Sequence, residues 1–367
     1  MRLPAFEDLS KEQDLIYNLD LDGNYLVSGP PGTGKSVMAL YRAQVQTVDH
    51  REPALLMYNS VLQQYTKQAA ETLEIAGFIR TFHSWLWSFW RAHFKDRPPT
   101  MEGSPYDHDW TEMTVRFFAK PPDLGVLHDL LVDEGQDLPL GFYRLARFFA
   151  KNITVFADEN QQLMDQNTTL EEIAAVIKAT ERVELRRNYR NTAEIAAVAA
   201  KYYCGTPTGI PDPPNRRGEL PTLRRYNSDV ELADFVARYV KGRTNLTIGI
   251  ACATRRVQKR LLALLEKRHL PLPVQAYFSA DKRSCGRLDF DGPAVTIVHY
   301  KSLKGLEFDT VFVPELQQMA ADPTSAAARM MFYVVTSRAR NELHLSYSGI
   351  GGPPGILNDV KGLVREL

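Results

Sequence analysis

The stretch YLVSGPPGTGKS, residues 25–36, constrains the fold of this chain more than any other feature. Gly29, Gly34, Lys35 and Ser36 meet the spacing G-x-x-x-x-G-K-[ST], and the setting sharpens the match. NYLVS reads as a buried strand and SVMALYRAQVQ as a helix, which is the strand–loop–helix context such a loop requires. Glycine lets backbone N–H groups turn inward around an anion, and the helix start adds partial positive charge. On this reading Gly29, Pro30, Pro31, Gly32, Thr33 and Gly34 cradle the phosphates of a nucleotide. The Lys35 ammonium neutralises the β/γ end, and the Ser36 hydroxyl ligates Mg²⁺.

The rest of the chain fits an α/β protein. YLVS, ALLMYN, LHDLLVDE and ITVFAD in the first half read as strands, as do LTIGIACA, AVTIVHY, DTVFVPEL and ELHLSYS in the second. Apolar runs separated by helical patterns indicate parallel sheets covered on both faces. A length of 367 residues accommodates two domains. The expected division is 1–185 and 186–367, with a seam near 180–187. GTPTGIPDPPNRRGELPT (205–222) is too rich in Pro and Gly for a helix or central strand and reads as a surface loop. GIGGPPG (349–355) reads as a joint before a short C-terminal helix. Lys+Arg and Asp+Glu both total 44, so overall charge argues neither for nor against a polyanionic partner. The first residues lack the apolar core of a signal peptide, and no run is long enough to span a bilayer. Cys204, Cys252 and Cys285 show no metal-binding spacing; together these features lead one to expect a cytoplasmic protein.

Hydrolysis of a nucleotide needs a second group to orient the metal and a base for the attacking water. LHDLLVDEGQD supplies both at the end of an apolar strand. Asp133 would hold Mg²⁺ through its water shell, and Glu134 would polarise the nucleophilic water.

GPPGTGKS, TFHSW (81–85), VDEGQD (132–137), ADENQQL (157–163), RRNYRN (186–191), KSLKGLEFDTVFV (301–313) and MMFYVVTSRA (330–339) occur in a telling order. In that order the chain resembles superfamily 1 helicases of the UvrD/Rep branch. The resemblance implies two tandem RecA-like domains with ATP and Mg²⁺ as ligands. It places Gln13 on the adenine, Gln161 at the γ-phosphate and Tyr189 stacked on the base. Arg190 and Arg338 would be arginine fingers, and Gly305 and Glu307 would contact the nucleotide, Glu307 through the ribose. Such arginines offset charge spread over the transferring phosphoryl group and are worth about 10³–10⁵ in rate. The resemblance also implies contact with single-stranded nucleic acid, DNA over RNA, through Tyr58, Asn59, Phe82 and His83, with 3′-to-5′ movement. WLWSFWRAHF (85–94) is either core or a stacking surface, and Arg256, Lys259 and Arg260 stand near a helix start.

The chain also departs from that branch. The spacings imply that the first inserted subdomain is reduced, to about 86–128, and that the second is absent. Met164 and Gln166 stand where an aromatic residue is usual, and Lys301 replaces a histidine. The ATPase parts are intact, so the expectation is an ATP-driven single-strand translocase that separates duplex poorly by itself. The rival is an ATPase switch within a larger complex. A protein partner supplying the missing function, docked on the 205–222 loop or the C-terminus, fits either.

Overall fold

The computed structural model describes residues 3–58, 60–104, 107–119, 127–158, 168–205, 208–279, 288–319 and 322–367. Their strands are β1 (Asn24–Ser28), β2 (Ala54–Met57), β3 (Ile79–Thr81), β4 (Leu127–Asp133), β5 (Ala150–Ala157), β6 (Glu181–Glu184), β7 (Thr222–Tyr226), β8 (Ile248–Cys252), β9 (Val274–Ala276), β10 (Val295–His299), β11 (Phe308–Val313), β12 (Ala339–Ser348) and β13 (Arg365–Glu366). The helices are α1 (Lys11–Tyr17), α2 (Lys35–Val48), α3 (Ser60–Thr72), α4 (Phe82–Phe94), α5 (Trp110–Ala119), α6 (Leu140–Ala146), α7 (Leu170–Ile177), α8 (Ala193–Ala200), α9 (Asp229–Lys241), α10 (Arg255–Glu266) and α11 (Ala326–Thr336).

Two compact units divide the chain. The N-terminal unit comprises Arg2–Gly29 and Gly34–Leu185; the C-terminal unit comprises Arg186–Leu367, with which the loop residues Pro30–Thr33 group. The first unit holds a six-stranded sheet in the order β3-β2-β4-β5-β1-β6, and every pairing is parallel. Central strands of such a sheet are covered on both faces and must be apolar throughout. In β1 Tyr25, Leu26 and Val27 are buried, and in β2 all four residues are. Trp85, Trp90, Phe142, Phe149 and Ile153 pack in the core under α4, α5 and α6. The Trp-rich run therefore resolves largely as core, with Trp87 turned to solvent.

The second unit holds a seven-stranded parallel sheet in the order β13-β7-β12-β11-β8-β10-β9. Leaving out β9 and counting the remaining strands along the chain, this order is third-second-fourth-fifth-first-sixth read from β10. That is the order of the first sheet read from β3. The two units thus repeat one topology, with β7 in the place of β1 and β11 in the place of β4. The C-terminus differs from its expected helix: Gly355–Val360 is a 3₁₀ segment, and the chain ends in β13 beside β7. A two-residue strand at the sheet edge carries no periodicity that a sequence can display.

Candidate active site

The parallel sheet places the ends of β1, β4 and β5 side by side, and the loops that follow carry most of the charged residues anticipated for the site. Crevices at the carboxyl ends of such strands are where open α/β sheets bind ligands. β1 runs into the glycine-rich loop, and α2 begins at Lys35. Gly34 caps the helix at φ 93°, in the left-handed region that favours glycine. A Cβ there would stand 2.6 Å from Nε2 of Gln13, so the glycine also lets Gln13 approach the loop. Gln13 is held in turn by α1, whose capping box pairs its side chain with Ser10 N–H (3.1 Å) and its N–H with Ser10 Oγ (3.2 Å). Within the loop, Thr33 Oγ1 donates to Pro30 O (2.9 Å).

The Lys35 ammonium is buried, donates to Gly29 O at 2.6 Å and pairs with Asp158 Oδ2 at 3.5 Å. Asp158, fully buried just beyond β5, donates its backbone N–H to Gln136 Oε1 (2.9 Å). Gln136 Nε2 donates to Glu134 Oε2 (2.7 Å). One chain of contacts therefore links the lysine of the phosphate loop to the proposed base. Gln136 and Asp158 were not singled out from the sequence. The available signal was position: like Asp133, Asp158 stands at the end of an apolar run.

β4 delivers Asp133 as its last residue, and the backbone then turns through the left-handed region at Glu134 (φ 55°, ψ 44°). Asp133 Oδ1 accepts from Glu134 N–H (3.1 Å), while Oδ2 is buried without a hydrogen-bond partner among the described residues. Burial, then the neighbouring Glu134 charge, pushes the Asp133 carboxyl up to about 7; the Ser36 hydroxyl and the Lys35 charge oppose them. An orphaned carboxylate oxygen beside a serine hydroxyl and a phosphate loop fits Mg²⁺, which keeps several waters and is held by few protein oxygens. Among the described residues no group of three or more His, Cys, Asp or Glu forms a ready-made metal cage. That suits an ion delivered with phosphates.

The C-terminal unit brings a second set together. Asn188 Oδ1 accepts from the N–H of Arg190 (2.9 Å) and of Asn191 (3.1 Å), and its Nδ2 donates to Asn191 Oδ1 (2.8 Å). Asn191 Nδ2 donates to Ser337 O (3.1 Å) and Ala339 O (2.6 Å), the carbonyls on either side of Arg338. Arg190 pairs with Glu307 (2.8 Å), which Arg340 also meets (3.2 Å). Arg338 is buried, with Nε on Val334 O of α11 (3.1 Å). Tyr189 is 38% exposed with the Arg187 guanidinium 5.4 Å from its ring centroid. Gly305 lies in the turn leading to β11. Arg216, from the Pro- and Gly-rich loop, donates to Arg190 O, Arg340 O and Asn341 Oδ1. That part of the loop braces the cluster, a role its composition does not display.

The topological counterpart of the glycine-rich loop in this unit carries different residues. β7 passes to α9 through Asn227 and Ser228; Ser228 Oγ caps Glu231 N–H (3.3 Å), and Asp229 pairs with Arg260. Glu315 keeps the left-handed turn of Glu134 (φ 54°, ψ 46°) and is likewise followed by a 3₁₀ segment, but Pro314 precedes it. A crevice of about 490 Å³ remains, lined by Asp229, Arg256, Arg260 and Glu315 among others. Among the described residues no lysine lines it, and Pro314 stands where Asp133 stands before Glu134.

Of the residues anticipated for nucleic acid, Tyr58 and His83 lie together, ring centroids 6.1 Å apart, just past the ends of β2 and β3. Phe82 is a correction: at 2% exposure it is packed against Phe142 (5.0 Å) and belongs to the core. As the first residue of α4 its side chain points under the helix, where no base can reach it. Gln161 and Asn59 lie outside the described residues, as do Met164, Gln166 and Cys285. Among the described residues no helix is long and apolar enough to cross a membrane.

No protein-family profile matches the chain, and no curated protein does. Among solved structures it is similar to S. cerevisiae Dbp5 bound to RNA and ADP BeF3, with 14% identity, 99% of this chain and 90% of that chain covered, and a TM-score of 0.53. It is also similar to the C-terminal domain of a possible DNA helicase from Lactobacillus plantarum WCFS1, with 23% identity, 48% of this chain and 98% of that chain covered, and a TM-score of 0.37. The likeness to Dbp5 shows the fold: two tandem RecA-like units.

Proposed function

We propose that this chain is a nucleic-acid-dependent ATPase of the UvrD/Rep helicase type, which moves 3′-to-5′ along single-stranded DNA. The observation that carries the proposal is the linked set Lys35, Asp158, Gln136 and Glu134, with Asp133 and Ser36 beside it. Such a set performs phosphoryl transfer to water, in which positioning and charge stabilisation do most of the work. The loop Gly29–Gly34 and Lys35 hold the phosphates, and Gln13 reads the adenine edge. Ser36 and Asp133 would hold Mg²⁺, which supplies charge neutralisation at the β- and γ-oxygens. Glu134 takes the proton of the attacking water, and Gln136 fixes its carboxylate in the required direction. Gln161 senses the γ-phosphate. From the C-terminal unit Tyr189 stacks on the base, Glu307 and Gly305 contact the nucleotide, and Arg190 and Arg338 stabilise the transition state.

Tyr58, His83 and Asn59 contact the strand. DNA is favoured over RNA, and the polarity follows, by resemblance to that branch. The compact segment between α4 and α5 favours the second reading, an ATPase that switches within a complex and unwinds little alone. The test is displacement of a labelled strand from duplexes with 3′ or 5′ single-stranded tails by the purified chain, alongside ATPase titrations with DNA and RNA. ATPase stimulation with displacement from 3′-tailed substrates alone supports the first reading. Stimulation without displacement supports the second, and no stimulation by any nucleic acid rejects both.

A further inference from the structure

The described residues of the segment joining α4 to α5 are tied together by hydrogen bonds. Thr100 and His108 form an antiparallel bridge, Met101 N–H donates to Asp107 O (2.8 Å), and Asp109 N–H donates to Pro99 O (3.0 Å). Its far end is anchored by Trp110, which lies over Gly141, where a Cβ would be only 2.3 Å from the indole. Trp110 also packs against Phe82 and Phe142 (ring centroids 6.4 and 6.2 Å). The consequence is that His108 is carried to His83. The rings form one continuous row: Tyr58 to His83 at 6.1 Å, His83 to His108 at 6.0 Å, and His108 to Trp110 at 5.6 Å.

Burial divides this aromatic region sharply. Phe82, Trp85 and Phe142 beneath the row are buried, whereas Tyr58, His83, His108 and Trp110 each remain partly exposed. The row stands on the same rim as the phosphate loop, past the carboxyl ends of β2 and β3. We propose that His108 and Trp110 extend the surface begun by Tyr58 and His83 into a four-ring platform for unpaired nucleobases. The compact segment would then do with two side chains part of what a larger insertion could do. This inference rests on the nucleic-acid reading above and names residues that the sequence did not suggest. Rings tolerate any base because every base has a π-face. Burial holds both imidazoles below the usual histidine range, and His108 lowers His83 further, which favours the uncharged form of each ring. An uncharged imidazole presents a face to a base without repelling its neighbour.

The experiment measures fluorescence anisotropy of labelled oligo(dT) and oligo(rU), each of about 20 nucleotides, with the full chain. His108→Ala is expected to weaken binding about tenfold, since one lost stacking partner costs about 1.4 kcal/mol at that ratio. His108→Phe, which keeps a ring, is expected to bind within about twofold of wild type. Photocross-linking with 5-iodouracil oligonucleotides is expected to mark the peptide containing His108 and Trp110. Wild-type binding by His108→Ala, equal losses in both variants, or cross-links that avoid this peptide would overturn the platform. Failure of the wild-type chain to bind either oligonucleotide would instead remove the nucleic-acid reading beneath it.

Discussion

Asn191→Ala should damage the two candidate arginine fingers together, although Asn191 is itself buried and its side-chain hydrogen bonds run to Asn188 and to the carbonyls of Ser337 and Ala339. Its amide donates to the carbonyls of Ser337 and Ala339, and its Oδ1 accepts from Asn188. Alanine removes all three contacts and leaves buried groups without them. A buried hydrogen bond contributes about 1 kcal/mol net, and an abandoned partner costs about 1–3 kcal/mol. Together the losses come to about 3 kcal/mol for the C-terminal unit, and a domain of 150–250 residues loses roughly 2–4 °C per kcal/mol. Calorimetry of the full chain should therefore show one transition falling by roughly 6–12 °C. At a temperature where the variant remains folded, kcat should drop about 10²-fold, the cost of a catalytic group displaced by about 1 Å. The same assay on Asn188→Ala should give a loss in the same direction, because Asn188 holds the N–H groups of Arg190 and Asn191. A stable Asn191→Ala chain, or a destabilised one with wild-type kcat, would refute the idea that these asparagines couple the arginine loops.

Glu134→Gln should keep ATP affinity within about threefold of wild type while phosphate release falls by about 10²-fold or more, since an amide cannot take the water's proton; nucleotide binding and phosphate-release assays separate the two. Gly34→Ala should lose about 1–2 kcal/mol of stability in urea titration, because φ is 93° there, and should bind nucleotide poorly because its Cβ meets Gln13. The Asp133 carboxyl, pushed up to about 7, sets a pH dependence of stability. Between about pH 4 and pH 7 the folded chain keeps a proton that the unfolded chain has lost, so this group's contribution falls as pH rises through that window. Asp133→Asn should accordingly gain stability relative to wild type as pH rises from about 4 to about 7, read as diverging urea midpoints; parallel midpoints in that window would contradict the shift.

The fold was legible where the chain is most apolar. β1, β2, β4, β5, β8, β10, β11 and β12 follow the runs that parallel packing demands, and their alternation with helices gives the α/β class. The short strands were not legible. β3, β9 and β13 have three residues or fewer, β6 reads ERVE, and β7 reads TLRRY; their pairing is decided by the neighbouring strand rather than by their own composition. The repeated topology of the two units was hidden for a similar reason. Strand order is fixed by crossovers, and TLRRY has no likeness to NYLVS. At the candidate site, residue types in a fixed spacing single out the loop, Asp133 and Glu134 as candidates. Asp158 shares with Asp133 a place at the end of an apolar run, whereas the supports Gln136, Asn191 and Arg216 are recognisable only from what they touch. His108 is 25 positions from His83 and enters the picture because Trp110 finds space over Gly141.

The central claim is that Lys35 and Glu134 belong to one ATP-hydrolysing site that answers to single-stranded nucleic acid. Its most direct test is the steady-state rate of phosphate release from ATP–Mg²⁺ by the wild-type chain, with and without saturating single-stranded DNA, beside the same measurement on Lys35→Ala. The account predicts hydrolysis by the wild type that rises severalfold or more with the strand, and none above background from the variant in either condition. Equal rates for the two chains, or a wild-type rate indifferent to the strand, would contradict it.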